Sequence, residues 1–353
     1  MANSTDNFLV ITKKNKAGYI TINNPATLNA LTAEMVLLLT TTLKTWATDD
    51  TVTFIVIDSS SSKAFSSGGD LKAVYNSWKT ADTTSSYINY VSPFFAQQYQ
   101  LDYLIATYKK PIISLVEGIC MGAGMGIAMH STYQVVTDGS IMSMPEAAIG
   151  FFPDAGAAYF LQNCAKSMGL FLGLSGWRLT ASQAFQLNLA THYVDSTKWK
   201  EFASALEKTT SLESTLDKYM SSPPEDAELL PYIPQIQRCL IGENLCITLE
   251  LLKISNIPLC QELYRRILSF SPTSLLVWQY HYQQSFGMPL KEILKYDYRV
   301  AQNFLHTHDL YEGIRSVIID KSSSPKWKPN VLEDISKEEI GKFYNTDSAD
   351  IVL

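Results

Sequence analysis

Short runs of β-branched and aromatic residues open the chain. Phe8 to Lys13 and Gly18 to Ile22 flank a polar turn and predict a β-hairpin. Thr32 stands where an N-cap belongs, with Glu34 in the first turn behind it and apolar residues at helical spacing as far as Trp46. Val52 to Ile57 is an unbroken apolar run, the pattern of a buried strand. Tyr87 to Tyr108 is aromatic-rich at helical spacing, and Lys109-Lys110-Pro111 closes it ahead of a strand over Ile112 to Val116. Beyond Asp154 the pattern turns helical, over Ala155 to Cys164, Met168 to Leu174, Ala181 to Leu187 and Lys198 to Lys208. Ser211 to Pro234, with its prolines, reads as a connection. Past it, Leu259 to Ser269, Ser274 to Ser285 and Leu290 to His306 carry the strongest helical pattern. This divides the chain into a strand-and-helix core over 8–210, a connection over 211–234, and a helical region with a tail over 235–345.

Two strand exits stand out. After the 112–116 strand, Met121-Gly122-Ala123-Gly124-Met125-Gly126 makes a glycine-interrupted turn into a helical stretch. After the 52–57 strand, Phe65-Ser66-Ser67-Gly68-Gly69-Asp70 repeats the design. Glycine lets a ligand approach the main chain, and the N-terminus of a helix offers unpaired N–H groups at its positive end. Two such turns, each giving one N–H to one oxygen, make an oxyanion hole. The plainer alternatives are close packing by the glycines and a helix cap by Asp70.

Glu146 and Asp154 follow, each among apolar and small residues. A carboxyl in such surroundings loses solvation, its pKa rises, and it becomes a candidate acid, base or nucleophile near neutral pH.

Composition narrows the field. The chain of 353 residues is 46% hydrophobic and 18% charged, with a formal net charge of −6, so no basic surface for nucleic acid is expected. Five cysteines without a Cys-x-x-Cys spacing and five scattered histidines indicate neither a disulfide framework nor a metal site. Apolar runs fall short of a membrane span. The first residues, Met1 to Val10, look unlike a secretory signal or a transit peptide. The lysines of the tail, Lys321 to Pro329, are either solvated surface or face a phosphorylated ligand.

Assembled, these residues resemble the crotonase (enoyl-CoA hydratase/isomerase) superfamily and, within it, the 3-hydroxyisobutyryl-CoA hydrolase family. The matching stretches are Asn29-Ala30-Leu31-Thr32, Phe65 to Lys72, Met121 to Gly126, Met144-Pro145-Glu146, Ile149 to Asp154, and Ala190 to Asp195. More specific are Ser271-Pro272-Thr273-Ser274-Leu275, His308-Asp309 with Glu312-Gly313, and Asp320-Lys321 followed by Pro325 to Pro329. The resemblance implies an α/β fold, a spiral of ββα repeats followed by helices. It implies oxyanion donors at the N–H groups of Gly69 and Ala123, a catalytic Glu146, and Asp154 assisting water or binding the substrate hydroxyl. Gln98, Gly68, Asp70, Gly122 and Gly124 would contact substrate. It implies hydrolysis of a short branched or hydroxylated acyl-CoA in valine breakdown and a mitochondrial address, a cytoplasmic one staying open, with no cofactor beyond the coenzyme A of the substrate. The enzyme could assemble as a homo-oligomer, and the alternative that stays open is a non-catalytic structural or interaction subunit, for example of a mitochondrial ribosome.

Three departures qualify the match. The triple glycine of the family reads Gly122-Ala123-Gly124, its Arg-Glu-Glu-Tyr reads Ala96-Gln97-Gln98-Tyr99, and the arginine after Tyr-Phe-Leu-Pro is absent from Tyr159 to Asn163.

Overall fold

A computed structural model describes residues 8–164, 167–240, 244–321, 323–345 and 350–353; the first seven residues, on which the expectation about a leader falls, lie outside them, as does Ser322 in the tail. The chain folds into two compact units, each assembled from three separated segments. One comprises Met1–Gly69, Leu101–Met142 and Arg178–Glu225, the other Asp70–Gln100, Ser143–Trp177 and Asp226–Leu353.

The first unit holds the sheets. β1 (Leu9–Lys14) and β2 (Ala17–Ile22) form the expected antiparallel hairpin, with Leu9 opposite Ile22 and Lys14 opposite Ala17. From β2 the sheet continues in parallel through β3 (Phe54–Ser59), β5 (Ile112–Val116), β7 (Tyr133–Val136) and β10 (His192–Tyr193). All five residues of β5 are buried, which is why its sequence is a continuous apolar run instead of an alternation. A second sheet has the order β4 (Ala64–Ser66), β6 (Ile119–Met121), β8 (Ile141–Ser143), β9 (Leu179–Thr180). Helix α1 (Ala33–Ala47) begins at Thr32, whose side chain accepts from the Met35 N–H at 3.2 Å.

Tyr19, Phe54, Val56, Ile113, Leu115 and Val135 share one core with Phe202 and Leu206 of the helix Trp199–Leu206. Leu212, Leu216 and Tyr219 join it from a helix, Leu212–Tyr219, inside the stretch expected to be a connection. Their spacing of four and three buries one face, and that burial outweighs the polar residues between them.

The second unit is mostly helical. It contains α2 (Leu71–Thr80) and the start of α3 (Thr84–Ala106), which runs on into the first unit. The helices Pro258–Leu268, Pro272–Gln284 and Leu290–Phe304 match the strongest helical patterns. Trp278 is fully buried and donates to the Leu170 carbonyl at 3.1 Å. The expected helix over 155–164 is broken up: Ala155 and Gly156 take positive φ of 55° and 77°, and only Ala157–Phe160 is α-helical, with a 3₁₀ turn after it. The chain turns sharply there just behind Asp154.

Candidate active site

In the first unit the two glycine turns lie side by side. The Gly68 turn is braced by Asn29, buried and at φ 58°, whose side-chain amide donates to the carbonyls of Ala64 (2.9 Å) and Phe65 (3.2 Å). Ser66 donates to the Asn29 carbonyl at 2.9 Å, Leu31 N–H donates to the Gly68 carbonyl at 2.8 Å, and Leu31 and Gly69 form a parallel bridge. Gly68 has φ 102°, and a Cβ there would sit 3.1 Å from the Met121 carbonyl oxygen and 3.6 Å from the Ala123 nitrogen. The second turn thus passes directly beside the first.

Helix α4 (Ala123–His130) starts at that point with Gly122, at φ 52° and ψ −126°, as its N-cap. The backbone angle that demands glycine falls on Gly122; Ala123 is already the first helical residue and is absent from the positive-φ residues. Its N–H belongs to the opening turn, which has no intrahelical acceptor. The alanine in place of the family's central glycine therefore costs no backbone strain. Gly124 serves close packing, since a Cβ on it would lie 2.7 Å from the Ser66 carbonyl oxygen.

Asp70 is the N-cap of α2, accepting from the Ala73 N–H at 3.0 Å. Its side chain does what the plainer alternative expects of it. Gln98 is buried on α3, beside Tyr99.

In the second unit the two acids are held by short turns. Glu146 opens a 3₁₀ turn, Glu146–Ile149, after Pro145, and Gly150 closes it at φ 72°. The backbone of this turn is clamped from the C-terminal region: a Cβ on Gly150 would meet the Asp309 carbonyl oxygen at 2.0 Å, and one on Gly313 would meet the Ile149 carbonyl carbon at 2.2 Å. Asp309 is itself fixed by the Ser271 hydroxyl (2.6 Å) and the Lys328 N–H (2.8 Å). The motifs that carry the resemblance in the last third of the chain thus serve to hold the Glu146 turn.

Glu146 is 6% exposed, and its Oε2 has no hydrogen-bond partner among the described residues. Burial first, and the neighbouring Asp154 second, hold its carboxyl well above the usual range. Asp154 is 7% exposed; its carboxyl is raised to about 7, chiefly by burial, with the hydrogen bond from Tyr99 acting against the rise and the Asp297 charge adding to it. The Tyr99 hydroxyl donates to Asp154 Oδ2 at 2.7 Å. Two buried carboxyls that repel each other cannot both ionise easily, so one proton is retained near neutral pH.

Sequence reasoning missed Asp297 and His281, both fully buried: Asp297 Oδ2 accepts from the Gly156 N–H and Oδ1 from His281 Nε2, each at 2.7 Å. Asp297 carries a signal, a carboxylate at an apolar-facing position of the helix Leu290–Phe304, between buried Ile293, Leu294 and Val300. His281 has only its position two residues after Gln279 in a helix buried on most sides.

The enoyl-CoA hydratase/isomerase family model matches residues 17–344. The mitochondrial 3-hydroxyisobutyryl-CoA hydrolase of Danio rerio is 34% identical over 100% of this chain and 94% of its own length, and that of Homo sapiens 32% over 96% and 88%. Among solved structures, a carnitinyl-CoA dehydratase from Mycobacterium thermoresistibile superposes with a TM-score of 0.92 at 28% identity, over 98% of this chain and 99% of that one. An enoyl-CoA hydratase from Rhodobacter sphaeroides does so with 0.90 at 30%, over 98% and 100%. With the expected fold and its full-length relatives in agreement, the chain belongs to the crotonase, or enoyl-CoA hydratase/isomerase, family.

Proposed function

We propose that this protein hydrolyses 3-hydroxyisobutyryl-CoA to 3-hydroxyisobutyrate and free coenzyme A. The observation that carries the reading is Glu146: a buried carboxyl with one oxygen unpartnered among the described residues, beside a second buried carboxyl, in a chain whose full-length relatives are hydrolases of that thioester. Those relatives weigh against the non-catalytic subunit and, with their mitochondrial names, support a mitochondrial address.

Attack on a thioester places negative charge on the former carbonyl oxygen and needs an activated nucleophile at the carbon. The N–H groups of Gly69 and Ala123 are assigned to the oxygen. Glu146 in its ionised form either attacks the carbon, expelling the thiolate and leaving an acyl anhydride for water to cleave, or takes a proton from the attacking water. Asp154 retains or passes the proton that the pair shares, or hydrogen-bonds the substrate hydroxyl. Substrate and product are bound by the same chain without a further cofactor.

The test is thiol release from a panel of short acyl-CoAs by the purified full-length protein. The 3-hydroxyisobutyryl thioester should be cleaved fastest; absence of thiol release from every member would overturn the reading. A single turnover in ¹⁸O water adds a one-way test of route: label in the Glu146 carboxyl requires an anhydride opened by water at the Glu146 carbonyl, whereas direct attack of water on the thioester labels the product alone.

A further inference from the structure

Asp154 is held between two groups of opposite electrical effect. On one side Tyr99, from α3, donates its hydroxyl at 2.7 Å. On the other stands Asp297, from the helix Leu290–Phe304, whose carboxylate accepts from Gly156 N–H, two residues beyond Asp154, and from His281 Nε2. His281 Nδ1 has no hydrogen-bond partner among the described residues, so the neutral ring carries its proton on Nε2 and gives it to Asp297. The imidazole is kept in that orientation by Tyr344 stacked on it at 5.9 Å and the edge of Phe152 at 5.5 Å. Asp297 thus accepts one donor on each of its two oxygens.

We propose that Tyr99, Asp297 and His281 are positioning residues that lock the sharp turn behind Asp154 and set the charge of its carboxyl from opposite sides. His281 keeps Asp297 pointed at Gly156; the Asp297 charge opposes ionisation of Asp154, while the Tyr99 hydroxyl favours it. The titratable groups facing this cluster are Glu146 and Tyr99 toward Asp154, and His281 and Tyr344 toward Asp297. The inference rests on the assignment of Asp154 to thioester hydrolysis.

The arrangement makes two substitutions act with opposite sign. Asp297→Asn removes the opposing charge, so the acid limb of kcat/KM governed by the Glu146 and Asp154 pair should move to lower pH by about half a unit or more. Tyr99→Phe removes the supporting hydrogen bond, so the limb should move to higher pH by a similar amount. His281→Gln, which keeps a donor, should behave closer to the wild type than His281→Leu. The Asp154 carboxyl resonance, followed by carbon NMR in the full-length protein, should titrate in the same directions.

Shifts of one sign in both variants, or none in either while circular dichroism is unchanged, overturn the proposal. If Asp297→Asn does not fold, Tyr99→Phe decides alone, and no upward shift sinks it. An Asp154→Asn enzyme with wild-type turnover would instead remove Asp154 from the reaction, while the carboxyl resonance in the Tyr99 and Asp297 variants still tests what its neighbours do to it.

Discussion

At the scale of single residues, the buried acids set the behaviour to be measured. Glu146→Gln should preserve the fold and lower turnover by about a hundredfold or more, the low end for a lost acid/base group; near wild-type turnover would remove Glu146 from the mechanism. Because burial and Asp154 both raise Glu146, the rate should climb with pH through the neutral range instead of levelling off near pH 5. For Asp154 the linkage has a definite sign. Its folded-state pKa of about 7 lies above the ordinary 3.8, so over that window the unfolded chain releases a proton that the folded protein keeps, and stability falls as pH rises. Asp154→Asn should therefore raise the melting temperature at pH 8, by the equivalent of up to about 4 kcal/mol, and leave it unchanged near pH 3.5. A mutant that melts lower at pH 8 would show that the charged form is the one the fold accommodates. Ala123→Gly should change turnover by less than about threefold, since Gly122 already takes the positive φ. A large acceleration would mean that the methyl group crowds the thioester.

At the scale of elements, the turn carrying Glu146 depends on backbone-to-backbone approach. Gly150→Ala would place a methyl group 2.0 Å from the Asp309 carbonyl oxygen at a residue with φ 72°, and Gly313→Ala would place one 2.2 Å from Ile149. Neither neighbour is a side chain that can swing away. Each change should cost several kcal/mol, or abolish soluble expression, through overpacking, to which the left-handed φ adds strain at Gly150 alone. Gly139→Ala, with open space around it, is the control and should melt within a degree or two of the wild type. Equal melting of all three would show that the clamp is loose. The hairpin, β5 and the late helices were legible because their periodicity coincides with what they bury. The Leu212–Tyr219 helix was not, because three apolar residues among polar ones say little until the sheet they cover is known.

At the scale of the whole molecule, each unit draws on three distant stretches of sequence, and a ligand that binds only the folded chain stabilises it. Coenzyme A at about 100 times its dissociation constant should stabilise the protein by about 2.7 kcal/mol, seen as a melting transition moved upward. A transition that does not respond to coenzyme A would argue against the proposed substrate.

The sequence by itself determined the alternation of strands and helices, the two glycine turns and the two acids, because these are local: apolar spacing, glycine tolerance and an acid among apolar neighbours are written in adjacent residues. Tertiary structure alone decided which glycine bears the strained angle, that Gly124 makes room for Ser66, and that Asp309 and Gly313 clamp the Glu146 turn. It also decided that Tyr99 and Asp297 flank Asp154. These relations join residues far apart in the chain, and a charge or a carbonyl oxygen acts through distance in space, which separation along the sequence does not encode.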